Sequence, residues 1–135
     1  MLKINGKEYE TAFGFLFLRK INALKDIMTI DDTSTAKLKG LLVSFFQGDP
    51  MAVLELTKAC LAVNKDLKEM DIEHYIESEA NYDELIDFLN KSLASSNLTS
   101  KAYKLAESTF NLIMTKGNKV TDKDFQELMR NSIKR

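Results

Sequence analysis

The chain has 135 residues, 44% hydrophobic and 29% charged, enough to bury a core within one domain and too apolar for a disordered tail. Its 19 Lys plus Arg against 20 Asp plus Glu leave a formal net charge of -1, so there is no general electrostatic pull toward nucleic acid or an anionic membrane. Cys60 is the single cysteine, which excludes an internal disulfide and fits a reducing compartment.

Residues 2–13 read as a small β-hairpin. Leu2 and Ile4 alternate with Lys3, Asn5-Gly6 is a favoured two-residue turn, and Tyr9 resumes the apolar side. Such a hairpin must pack on something to persist. A first helix comes next, with the stripe Phe17, Ile21, Leu24 and Met28 and four large apolar residues at Phe15 to Leu18. That run predicts burial nearly all round at its start, and the aromatic groups Tyr9, Phe13, Phe15 and Phe17 are expected in the core.

Thr29 to Thr35 reads as a polar loop. A second helix is expected from Thr35 to Gln47, since Leu38, Leu41, Leu42, Phe45 and Phe46 share one helical face. Gly48 reads as its stop, Asp49 as the cap of a third helix and Pro50 as that helix's first residue. The third helix is expected to reach about Asn64 and to lie centrally, because apolar groups surround most of it. Lys65 to Glu69 reads as a connector.

Later starts are marked by capping residues. Asp71 reads as the cap of a short helix stapled by Met70 and Tyr75. Asn81 with Glu84 opens a longer one carrying Tyr82, Leu85, Ile86, Leu89 and Leu93. Thr99 opens the next, stapled by Leu98 and Tyr103 and ended by Gly117, and Thr121 opens a last one bearing Phe125, Leu128, Met129 and Ile133. The expected fold is mainly α, a helical bundle of about six to seven helices with a small N-terminal β-hairpin. One domain is expected over 1–135, comprising the hairpin at 2–13, a helical core at 14–117 and a C-terminal helix at 118–135.

Chemistry-bearing residues are sparse. His74 is the single histidine, set between acidic residues as on a solvated helix face. A zinc site needs several converging ligands, and neither paired histidines nor a CxxC motif is present. Asp31-Asp32 and Glu77 with Glu79 lack the spaced oxygens and glycine of a calcium loop, and read as solvated charges. No glycine-rich phosphate loop occurs. Cys60 lies in an apolar run and reads as a buried thiol. A hydrolase would have to rest on His74 or Cys60, and both are expected to tolerate alanine. The expectation is no enzyme, catalytic residue, metal, cofactor or small-molecule substrate. The N-terminus lacks a signal-peptide apolar region and no window approaches a membrane span, so a cytoplasmic location is expected.

The segment Ile4-Asn5-Gly6-Lys7-Glu8-Tyr9-Glu10, the adjoining Phe13-Gly14-Phe15, and Gly40-Leu41-Leu42 through Gly48-Asp49-Pro50-Met51-Ala52-Val53 resemble the tail assembly chaperones of long-tailed phages and prophages of Gram-positive bacteria. Ile72 to Glu77, Tyr82 to Leu85 and Ser95-Ser96-Asn97 extend that likeness, which runs from residue 2 to about 107. Met28 to Lys37 and the helix beyond Gly117 stand outside it. The resemblance implies a protein of the bacterial host cytoplasm, absent from the mature virion. It implies that the protein binds the tape-measure protein, brings tail-tube subunits to it, and self-associates. The alternative is a small helical regulatory or nucleic-acid-binding protein of a prophage, which would show a basic stripe; the lysines are instead scattered among acids.

Two surfaces are candidates for partner contact or self-association. One is the hairpin, with Leu2, Ile4 and Tyr9 and the strand edges Leu2 to Asn5 or Lys7 to Glu10, by strand addition. The other is the terminal face of Phe125, Leu128, Met129 and Ile133, which either closes the bundle or docks on a partner.

Overall fold

A computed structural model describes residues 1–25, 27, 29 and 31–116. The chain opens as an antiparallel hairpin of β1 (Leu2–Ile4) and β2 (Lys7–Tyr9), pairing Leu2 with Tyr9 and Ile4 with Lys7. Asn5 and Gly6 have φ of 53° and 80°, the pair of positive values that a type I′ turn requires. Polar ties hold this short ribbon to the rest of the fold, with Lys7 Nζ 3.3 Å from the Asp66 carboxylate. The Asn5 N–H donates to both carboxylate oxygens of Glu79 at 2.9 and 3.1 Å. The Asn64 amide donates to the Glu10 carbonyl at 2.8 Å, and the Ala12 N–H to the Cys60 carbonyl at 2.9 Å.

The helices among the described residues are α1 (Phe15–Asn22), α2 (Ala36–Phe46), α3 (Pro50–Cys60), α4 (Glu69–His74) with a π turn at Tyr75–Glu79, α5 (Tyr82–Ser95) and α6 (Ser100–Lys116). The fold is thus mainly helical with an N-terminal hairpin, as the periodicities predict. The turn between α2 and α3 is written in its residues. The Gly48 N–H donates to the Phe45 carbonyl and the Asp49 N–H to the Ser44 carbonyl, a pairing that satisfies the last carbonyls of α2 with Gly48 at φ 87°. The Asp49 carboxylate then accepts the Met51 N–H at 3.0 Å, with Pro50 at the first position of α3. At α5 the Asn81 side chain accepts the Glu84 N–H at 3.1 Å.

Several local expectations are corrected. The start of α1 is not buried all round: Phe17 and Leu18 are buried, but Phe15 is 65% and Leu16 37% exposed. A single helix of eight residues cannot present four successive side chains to one core. Leu24 falls beyond α1, which ends at Asn22, where Lys37 Nζ donates to the carbonyls of Asn22 and Leu24. Met28 lies outside the described residues. α3 stops at Cys60 rather than Asn64, since the Asn64 amide takes the Leu61 carbonyl, and Val63 is exposed. Asp71 does not start α4; the helix begins at Glu69, and Asp71 reaches back to accept the Lys68 N–H at 3.4 Å. Met70 is exposed, so it staples nothing. The Thr99 hydroxyl donates to the Leu93 carbonyl at 2.7 Å, joining the start of α6 to the last turns of α5 instead of capping α6.

α3 occupies the centre and packs against α1, α2, α4 and α5. Its Val53, Leu56 and Cys60 meet a core that includes Ile4, Phe17, Ile21, Leu38, Leu42, Leu89 and Leu93. α6 packs mainly along α2 and also on α5. Phe46 at the end of α2 bridges two turns of α6, with its ring centroid 5.2 Å from Tyr103, edge-on, and 5.7 Å from Phe110.

Candidate functional site

The region around the end of α1 holds a buried ion pair and two clefts. Lys39 and Asp31 form an ion pair whose side chains are only 4% and 6% exposed. Lys39 lies on the inward-facing side of α2, so its long stem lines the core while its ammonium meets Asp31. The Asp31 carboxylate also accepts from the Thr33 N–H at 2.9 Å and from the Thr33 hydroxyl. Burial alone would push this carboxyl up, yet its hydrogen bonds to Lys39 and Thr33 outweigh that and hold it below its ordinary range. With Lys37 gripping the end of α1, two lysines of α2 fix the chain entering and leaving this corner.

Beside the corner lie two clefts that share Leu24 and Glu55. One, of about 460 Å³, runs between α1, α3 and the chain leading into α4; its walls include Lys20, Ala59, Leu61, Leu67 and Ile72. Lys58 stands within it, 3.5 Å from Glu55 and 3.6 Å from Glu69. The other, of about 440 Å³, lies between Leu24, Ile27, Leu41 and Ala52, with Met51 at its mouth. Met51 is 60% exposed. The second cleft is mainly apolar and the first mixes charged and apolar walls, a lining that suits protein side chains better than a reacting small molecule, which needs convergent polar groups.

Neither sequence candidate for chemistry sits in such a place. Cys60 is fully buried, its thiol donates to the Thr57 carbonyl at 3.3 Å, and burial pushes its pKa up to about 12. A thiol so placed stays protonated and is no nucleophile at neutral pH. His74 is exposed at the end of α4. Among the described residues no group of three or more His, Cys, Asp or Glu converges to hold a metal, and no helix is long and apolar enough to cross a membrane.

The partner candidates are divided. Leu2 and Ile4 are core residues, 8% and 1% exposed, and Tyr9 is half-buried against the same core. The hairpin therefore has only backbone edges and its polar side chains to offer. Glu79 takes the Asn5 N–H in the turn, and Asn64 takes the Glu10 carbonyl just past β2. Phe125, Leu128, Met129 and Ile133 lie outside the described residues. Sequence reasoning missed the Lys39–Asp31 pair and the clefts. A signal for the first was present: Lys39 is three residues before Leu42, on the helical arc that faces inward.

A family described as phage tail assembly chaperone protein, TAC, matches the chain over residues 1–107. No curated protein matches it, and no solved structure matches it. The matched span contains the hairpin, α1 to α5, both clefts and the first half of α6.

Proposed function

The chain belongs to the phage tail assembly chaperone family, and from that premise we propose that it binds the tape-measure protein during tail assembly, helps recruit tail-tube subunits, and leaves before the virion is complete. The family match over residues 1–107 carries this reading. A tape-measure protein is a long helical client, and an amphipathic helix seats its apolar side in a groove with an apolar floor. The cleft between Leu24, Ile27, Leu41 and Ala52 has such a floor, and the neighbouring cleft adds Lys20, Lys58, Glu55 and Glu69 for the polar flanks of the client. The action is binding, in the host cytoplasm, and involves no covalent step.

Co-expression with the tape-measure protein of the same phage, then purification through a tag on this chain, tests the reading. The large protein is expected to become soluble and co-purify. If it stays insoluble while this chain elutes alone, the proposal fails. Met51→Glu reports on the cleft. Met51 is exposed near the N-terminus of α3, where an acidic side chain is welcome, so the fold is expected to stand while capture falls about tenfold.

A further inference from the structure

The 460 Å³ cleft has walls that the hairpin ties together. One wall is the end of α1, with Lys20, Ala23 and Leu24. Another is the connector from α3 to α4, with Leu61, Ala62, Asn64, Lys65 and Leu67. The hairpin leads into α1 through the short segment Glu10 to Gly14. That same segment is bonded to the connector. The Ala12 N–H donates to the Cys60 carbonyl at 2.9 Å, and the Glu10 carbonyl accepts from the Asn64 amide at 2.8 Å. The exit of the hairpin is thus joined to one wall by its covalent chain and to the other by hydrogen bonds.

Asn64 is the joint. Its amide nitrogen carries two protons and uses both, one on the Glu10 carbonyl and one on the Leu61 carbonyl at 3.1 Å. The second bond closes the end of α3, so one side chain fixes the start of the connector and the exit of the hairpin at once. The other side-chain tie is Lys7 with Asp66 at 3.3 Å, with side chains 65% and 68% exposed. An ion pair so open to water holds little. Among the described residues no further side-chain hydrogen bond or ion pair reaches residues 61–67. Leu61, 1% exposed, anchors the connector in the core, while Lys65 at the cleft is exposed. The position of the outer part of this wall therefore falls to Asn64.

We propose that Asn64 is a positioning residue for this cleft: through it the docked hairpin sets the wall at 61–67, so that a helical segment seated in the cleft and the docked hairpin favour each other. Linkage of this kind is reciprocal, and a partner that prefers the held wall must hold the hairpin down by the same factor. That consequence for a client rests on the chaperone reading above, while the position of the wall does not.

Asn64→Asp is the informative change, since the side chain keeps its shape, loses both donors and sets a carboxylate against two carbonyls. Spin labels at Lys20→Cys and Lys65→Cys span the cleft, and the buried Cys60 thiol takes no label. In the full chain, Asn64→Asp is expected to lengthen and broaden the label-to-label distances, while Lys7→Ala leaves them as they were. Distances that Asn64→Asp does not move overturn the proposal, whether or not a client is captured. Capture of the co-expressed tape-measure protein is expected to fall about fivefold or more in Asn64→Asp without labels, and the captured client to slow amide exchange at Ala12. Undiminished capture overturns the linkage. If the unsubstituted chain captures nothing, the chaperone reading fails, and the label distances alone decide the wall. Should Asn64→Asp fail to fold, the unsubstituted chain gives the answer. The amides of Ala12 and Asn64, bonded to the Cys60 and Leu61 carbonyls, are expected to open together, with one dependence on urea in hydrogen exchange. Independent opening of the two would sink the idea.

Discussion

At the residue scale the most consequential side chain is Lys39. Replacing it by alanine leaves Asp31 buried beside Thr33 without its cation, and the expected cost is about 3–5 kcal/mol in urea unfolding. Exchanging both partners for apolar residues, Lys39→Met with Asp31→Leu, is expected to be far milder, because no charge is then left stranded. The pair also gives stability a pH dependence. The folded carboxyl sits below its ordinary value of 3.8, so its stabilisation is complete above about pH 4 and declines as the pH falls through the folded value. The difference in Tm between the unsubstituted chain and Asp31→Asn should therefore be constant near neutrality and shrink in acid. Sequence reading passed over this pair because Asp31 looks like any loop carboxylate until α2 brings Lys39 to it. Cys60, by contrast, was legible, since the apolar residues around it already imply a thiol out of water.

Among elements, the α2–α3 turn and the hairpin were legible for a common reason: their geometry is fixed by residues next to one another. Asp49→Ala removes the carboxylate that receives the Met51 N–H, and a loss of about 1 kcal/mol is expected. Gly48→Ala should cost a similar amount, about 1–2 kcal/mol, although nothing crowds the position, because φ there is 87°. Thermal unfolding of each variant by circular dichroism measures both. The misread elements were set from a distance. The apolar stripe of α1 runs on past Asn22, yet the helix ends there, where Lys37, from α2, takes the carbonyls of Asn22 and Leu24. Asp71 has a capping side chain, yet it serves from the third position of α4. The π turn at Tyr75–Glu79 has no signature in the sequence, although the carboxylate it presents to Asn5 is a main tie of the hairpin. The clefts were illegible for the same cause, since their walls come from segments far apart in sequence, Leu24 beside Glu55 in both.

At the scale of the whole molecule, Leu2 and Ile4 from one end and Ala102 and Ala106 from the other belong to the same buried cluster. If the chain is one domain, as its length suggested, far-UV circular dichroism and tyrosine fluorescence should report one coincident unfolding transition in urea. Separate midpoints would divide it. The position of Cys60 gives that question a chemical readout as well. Its carbonyl receives the Ala12 N–H of the segment leaving the hairpin, while its thiol points into the core at the end of the central helix. A thiol reagent can reach the sulfur only when the packing around the end of α3 opens, and a labelling rate equal to that of global unfolding would show that hairpin and helices part together. The labelling rate of the native protein would then time how often the molecule opens as a whole, with no probe added and no residue changed.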